Sequence, residues 1–283
     1  MDNLLTQLEQ AQDELTPEFK ALRTTMSALK TAIKLAQADK PDAIPMQKAL
    51  QKLETAAEPI DNTTLTTAIA QFRTVTNEAL NNLAFDFAKD LKKAFEEQGI
   101  KVTGRPPTLT IDILTLKIDI AARKGQWFYG QEPLTRPLPL STNHILKAYH
   151  AQQKRIGDRD LNPSAFLQEI YNAWTTCINK RSRRPTEGRI NIIEIYSQII
   201  LDRQTNRFWN APARKTFKDY DRELFVRDLV LLHQSGHTTL NTPEGSQTLR
   251  LGVATKSQTE QSSRSIYLPD VGSSNYYSDI SFQ

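Results

Sequence analysis

The stretch from Ile190 to Ala254 constrains this chain most, because its apolar periodicity changes character twice within a short span. Ile190, Ile192, Ile193, Ile195, Tyr196, Ile199 and Ile200 recur near the helical period, with Glu194, Ser197, Gln198 and Asp202 between them. The β-branched residues would permit a strand, but a run of about a dozen residues favours a helix. Residues 206–212 break the pattern. Thr216 or Asp219 then caps a second helix, with Asp221 and Glu223 in its first turn suiting the helix dipole. Its apolar stripe is Leu224, Phe225, Leu229, Leu231 and Leu232, and Gly236 ends it. Residues 238–240 and 248–253 are β-formers flanking a connector with Pro243 and Gly245, which predicts a hairpin with a longer loop.

Helix, turn, helix and hairpin in this order resemble the back half of a winged helix, a module that binds either DNA or protein. The order of elements carries that resemblance; no residue motif does. Should such a module meet double-stranded DNA, the cations around it are the candidate contacts. Lys180, Arg181, Arg183, Arg184 and Arg189 precede it, and Arg207, Arg214 and Lys215 lie in its break with Phe208 and Trp209 among them. Arg222 and Arg227 are expected on the exposed face of the second helix, and Arg250 on the wing. Asp221, Glu223 and Asp228 dilute the charge of that helix. The competing reading makes the first cluster a solvated linker and puts Phe208 and Trp209 in the core. A formal net charge of +4 permits nucleic-acid contact without demanding it.

Residues 1–98 read as a helical arm. Pro17 starts a helix to about Ala38, with Phe19, Leu22, Met26, Leu29, Ile33 and Ala36 on one stripe. A shorter helix runs through Met46, Leu50 and Leu53 to Pro59. Asp61 caps a long helix to Gln98-Gly99, with a near-heptad seam through Leu65, Ile69, Phe72, Leu83, Phe87 and Leu91. The 17–38 and 61–98 stripes are expected to face each other in an antiparallel hairpin. Alternatively Leu65, Phe72, Leu83 and Phe87 form a docking or homodimer seam.

Residues 99–180 read as a small α+β domain. Leu109, Ile111 and Ile113 alternate with polar residues; the phase then slips to Leu114, Leu116, Ile118 and Ile120, as a bulge in one long strand would produce. Lys124-Gly125 turns the chain into a returning strand at residues 126–130. Ser141 caps one helix and Asn162-Pro163 begins another. Asp112, Asp119 and Glu132, with Lys117 or Lys124, are the residue types of a metal-dependent nuclease. The usual acid two positions before a lysine is missing, since Thr115 and Ala122 stand there. The four histidines are not spaced as a metal set.

A basic linker, 181–189, and a flexible tail, 255–283, complete the layout. Tyr267, Tyr276, Tyr277 and Phe282 give the tail large rings, which either pack back on the chain or serve a partner. The single Cys177 excludes an internal disulfide and sits in an apolar helical pattern, as a buried thiol would. Asp2, Glu9, Asp13 and Glu14 precede any cation, unlike a signal peptide, and no apolar run spans a bilayer. The expected fold is mainly α with a small antiparallel sheet, in the α+β class. The expected protein is a cytoplasmic, non-enzymatic assembly subunit without cofactor or metal, acting with other subunits or as a homodimer, in a complex that acts on DNA. A winged-helix DNA-binding regulator and a metal-dependent nuclease are the alternatives.

Overall fold

A computed structural model describes residues 2–38, 42–183, 185–243, 245–272 and 276–283. More than half of the chain is helical, and the strands form two small antiparallel sheets, so the fold is α+β. Two compact units result. One holds residues 1–112, 116–125 and 137–145; the other holds 113–115, 126–136 and 146–283. Residues 99–180 contribute to both units, and residues 190–254 lie within the second.

The first unit begins with three helices: α1 (Asp2–Ala36), α2 (Ala43–Ala57) and α3 (Thr63–Glu96). Asp42 and Asn62 cap α2 and α3, accepting hydrogen bonds from the amides of Ile44 and Leu65. The short α2 occupies the place the sequence assigns to the facing stripes of its neighbours. Leu50 and Leu53 of α2 pack with Ala32 of α1 and Ile69 of α3, and Ala28, Leu29, Leu65 and Phe72 close around them. The Thr25 hydroxyl donates to the Ala56 carbonyl at 2.6 Å, tying α1 to the end of α2.

Two expectations for the arm are corrected. Helix α1 does not start at Pro17 but passes through it, although proline supplies no amide donor there. The small residues Thr25, Ala28 and Ala32 face α2, because a short helix wedged beside α1 admits little bulk. Phe19, Leu22, Met26 and Ile33 consequently stay at 50–67% exposure.

After α3 the chain forms β1 (Val102–Arg105), β2 (Thr108–Ile111), β3 (Leu114–Asp119), β4 (Lys124–Tyr129), β5 (Glu132–Pro133) and β6 (Leu138–Pro139). Their order is β1-β2-β3-β4-β5, with β6 on β4. The phase slip in the sequence is a hairpin, not a bulge: Asp112, at φ 51°, turns the chain between β2 and β3. An aspartate tolerates that left-handed backbone better than most residues do.

Next come α4 (Thr142–Gln152), which enters the second unit at Leu146 and continues as a π turn over 153–157, and α5 (Pro163–Asn179), capped by Asn162. Then come β7 (Ile190–Asn191), α6 (Ile192–Asp202), α7 (Asn206–Asn210), α8 (Arg222–Gln234), β8 (Thr239–Thr242), β9 (Gly245–Val253), α9 (Lys256–Thr259), β10 (Ile266–Tyr267) and β11 (Tyr276–Phe282). Gly236 ends α8 at φ 72°, a conformation open to glycine. The strand order is β10-β11-β9-β8, with β7 on β11.

The tail is therefore part of the fold. β11 pairs with β9 (Ile280 opposite Leu251) and with β7 (Ile280 opposite Ile190). Its alternation of apolar side chains brings Phe282 against the rings of Tyr171 and Trp174 at 5.1 and 5.3 Å. Ile195 and Ile199 of α6 and Phe225 and Leu229 of α8 are buried with Phe166 and Ile170 of α5.

Candidate functional site

Helix α8 carries the densest polar chemistry of the described residues. Asp228 is fully buried, and Arg227 is 9% exposed. Asp228 accepts hydrogen bonds from Arg159 and, at 2.6 Å, from the Tyr220 hydroxyl. The bidentate guanidinium is the geometry that makes a buried carboxylate tolerable. Its bond to Asp228 holds Arg159 even more firmly protonated than usual. Burial first, and then the Asp228 charge, push the Tyr220 hydroxyl far above the ordinary phenol range.

Arg227 is satisfied differently. Its Nε donates to the Ile156 carbonyl at 3.0 Å, and its Nη2 lies 3.4 Å from the Gly157 carbonyl. These carbonyls close the π turn after α4, where helical acceptors run out of intrahelical donors. The Tyr129 hydroxyl completes the set at 3.4 Å from Nη1. Burial raises the Tyr129 pKa, partly offset by Arg227. At the start of α8, Arg155 binds both Asp221 and Glu223, so Asp221 makes no side-chain cap. Arg222 binds Glu132 at 2.8 Å and the carbonyls of Ser262 and Ser265. Every acid in this network has a cation, so the arrangement is suited to holding helices together.

That accounting corrects the reading of Arg222 and Arg227 as exposed: both are turned inward, because Glu132 and the π-turn carbonyls need donors. The other cations divide. Lys180 donates to Gln198 at 2.6 Å; Arg181 pairs with Glu194, Arg189 with Glu187 and Arg214 with Asp219. Arg183, Arg207, Lys215 and Arg250 are exposed, with no carboxylate partner among the described residues. Arg184 lies outside the described residues. Trp209 is 54% exposed beside Arg207 on α7, while Phe208 stacks edge-on against both Trp209 and Phe217.

The aromatic and apolar candidates also divide. Tyr277 and Phe282 are buried in the sheet, the Tyr277 hydroxyl donating to the Val271 carbonyl at 2.7 Å. Tyr267 and Tyr276 are half-buried against each other. On α3, Leu65 and Phe72 close the α2 cluster, Phe87 is half-buried, and Leu83 is exposed. A long exposed apolar row lies outside the candidates: on α1, Leu4, Leu5, Leu8 and Leu15 continue the stripe of Phe19, Leu22, Met26 and Ile33. The leucine spacing before Pro17 is its sequence signal.

Among the described residues, no group of three or more His, Cys, Asp or Glu side chains is placed to hold a metal ion. Asp119 caps the turn at Ala122, and Glu132 is engaged by Arg222. Burial, with Glu194 adding to it, pushes the Cys177 thiol up to about 11, a poor setting for a nucleophile. No helix among the described residues is long and apolar enough to cross a membrane. The chain matches no protein-family model, and no curated protein or solved structure is similar to it.

Proposed function

We propose that this chain is a non-enzymatic subunit of a larger protein assembly. The exposed apolar row of α1 carries the reading, since single exposed leucines are ordinary but a continuous row marks a contact surface. The reading has a natural test. Affinity purification under native conditions should recover the chain with a stoichiometric companion subunit. A chain that purifies without any companion subunit removes the proposal.

A DNA-facing role is the second part of the reading, and the α7 region favours it. Arg207, Lys215 and the exposed Trp209 combine free cations with a ring able to stack. The succession α5, β7, α6, α8, β8, β9, with the short α7 inserted after α6, also follows the order of a winged helix, although β11 stands between β7 and β9. In this proposal α7, Arg183 and Arg250, rather than the inward-facing α8, meet the phosphates. A gel shift on random duplex at low salt should show binding. Arg207→Ala with Lys215→Ala should weaken it and flatten its salt dependence. Undetectable binding at low salt removes the DNA role and leaves the assembly role intact.

A further inference from the structure

Helix α1 is solvent-exposed on every side from Leu4 to Leu15. A lone helix of that length is marginal in water, and an apolar face packed on something is what stabilises such helices. Leu4, Leu8, Leu15, Phe19, Leu22 and Met26 supply the face, each at least half exposed. Side chains of this size offer on the order of 100 Å² each, so with Leu5 and Ile33 the eight side chains of the row present on the order of 800 Å². That is the share one partner gives to a standard interface.

The charges of α1 say what covers it. Asp2, Glu9, Asp13, Glu14 and Glu18 fall in its first half, without a single cation. Lys20, Arg23, Lys30 and Lys34 fall in its second half, without a carboxylate. The helix dipole favours this sense only within the first and last turns, and does not account for Asp13, Glu14, Glu18, Lys20 or Arg23. A parallel copy would set acid against acid and base against base, within a screening length of about 8 Å. An antiparallel copy sets each acidic half against a basic one.

From this we infer that α1 is the self-pairing surface of a two-fold homodimer, joined antiparallel through its apolar row. The spacing agrees. Leu4 meets Ile33 of the second copy, Ala11 meets Met26 and Leu15 meets Leu22, with Phe19 next to the axis and Leu8 beside the outer side of Leu29, whose other side packs in the α2 cluster. Each layer repeats on the other side, as a two-fold contact requires. The inference rests on the reading of the α1 row as a contact surface and names the occupant of that row.

Sedimentation of the purified full chain tests it. A dimer is expected at micromolar concentration. Leu8→Ser with Leu15→Ser should weaken it by at least about a hundredfold, since each copy loses two contacts. These positions are exposed, so the far-ultraviolet signal of the monomer should otherwise persist. Orientation is read by cross-linking. Ala11→Cys and Met26→Cys chains should form a disulfide when mixed and not when either is oxidised alone. Cys177, being buried, does not compete. A wild-type monomer, a dimer indifferent to the serine substitutions, or cross-linking within each variant alone overturns the inference. A monomer that still holds a stoichiometric foreign subunit overturns self-pairing alone. A dimer without any foreign subunit upholds self-pairing and removes the assembly role instead.

Discussion

Helix α8 keeps Arg227 and Asp228 inside, while α1 keeps Leu8, Leu15 and Phe19 outside. Each inverts the usual distribution, and the reasons differ. On α8 the polar groups are inside because each has a partner: Arg159 and Tyr220 for Asp228, the carbonyls of Ile156 and Gly157 for Arg227. On α1 the apolar groups are outside because α2 takes up only the small side of the helix, at Thr25, Ala28 and Ala32. Burial follows what is available to pack or pair with. Polarity alone does not decide it.

The contrast can be broken most forcefully at Asp228. Asp228→Ala leaves Arg159 without its buried counter-charge and should cost about 3–5 kcal/mol in urea unfolding. Asp228→Asn, which keeps the Tyr220 acceptor, should cost less. A loss within about 0.5 kcal/mol for the alanine variant would mean that the network is ornamental.

The next effect sharpens the contrast within the arm. Leu53→Ala, at the centre of the α2 cluster, should cost about 2–5 kcal/mol. Phe19→Ala removes a larger side chain from α1, yet should shift the stability of the monomer by less than about 0.5 kcal/mol. Equal losses would show that Phe19 packs within the monomer after all.

The smallest effect appears in alkali. Burial raises the folded-state pKa values of Tyr220 and Tyr129 above the ordinary 10.0, and pushes Tyr196 up to about 12. The unfolded chain loses these phenolic protons first. The stabilisation is therefore complete below about pH 10 and declines as pH rises towards the folded values. Denaturant midpoints should fall above pH 10, and Tyr220→Phe should reduce the slope. A slope unchanged by that substitution would exclude Tyr220 as its source.

Much of the local structure is legible in the sequence, because its signals are short-range. Asn162 before Pro163, Gly236 after the Leu229–Leu232 stripe, and the paired β-formers around Pro243 and Gly245 each act within a few residues. The hairpin at Asp112 was hidden because Ile113, an apolar residue, occupies its turn. Pro17 reads as a helix start, since the first turn suits proline best, and a helix that starts there leaves out the leucines before it. The inward turn of Arg227 and Asp228 could not be seen locally: their partners come from the π turn, Tyr129 and Arg159, far off in the chain. The candidate cations were legible as cations only. Which are free depends on Glu187, Glu194 and Asp219, and their reach is a matter of fold.

The position of β11 has a bearing on how the chain is made. Synthesis delivers β7 early and β11 late, yet β11 is the strand that joins β7 to β9. Until Ile280 emerges, β7 and one edge of β9 lack their partner strand, and the rings of Tyr171 and Trp174 lack Phe282. The nascent second unit therefore spends its growth as an open sheet, a form prone to pairing with the wrong strand. A chain truncated before residue 276 should be held by chaperones and cut by a protease, whereas a released chain that carries β11 should resist both.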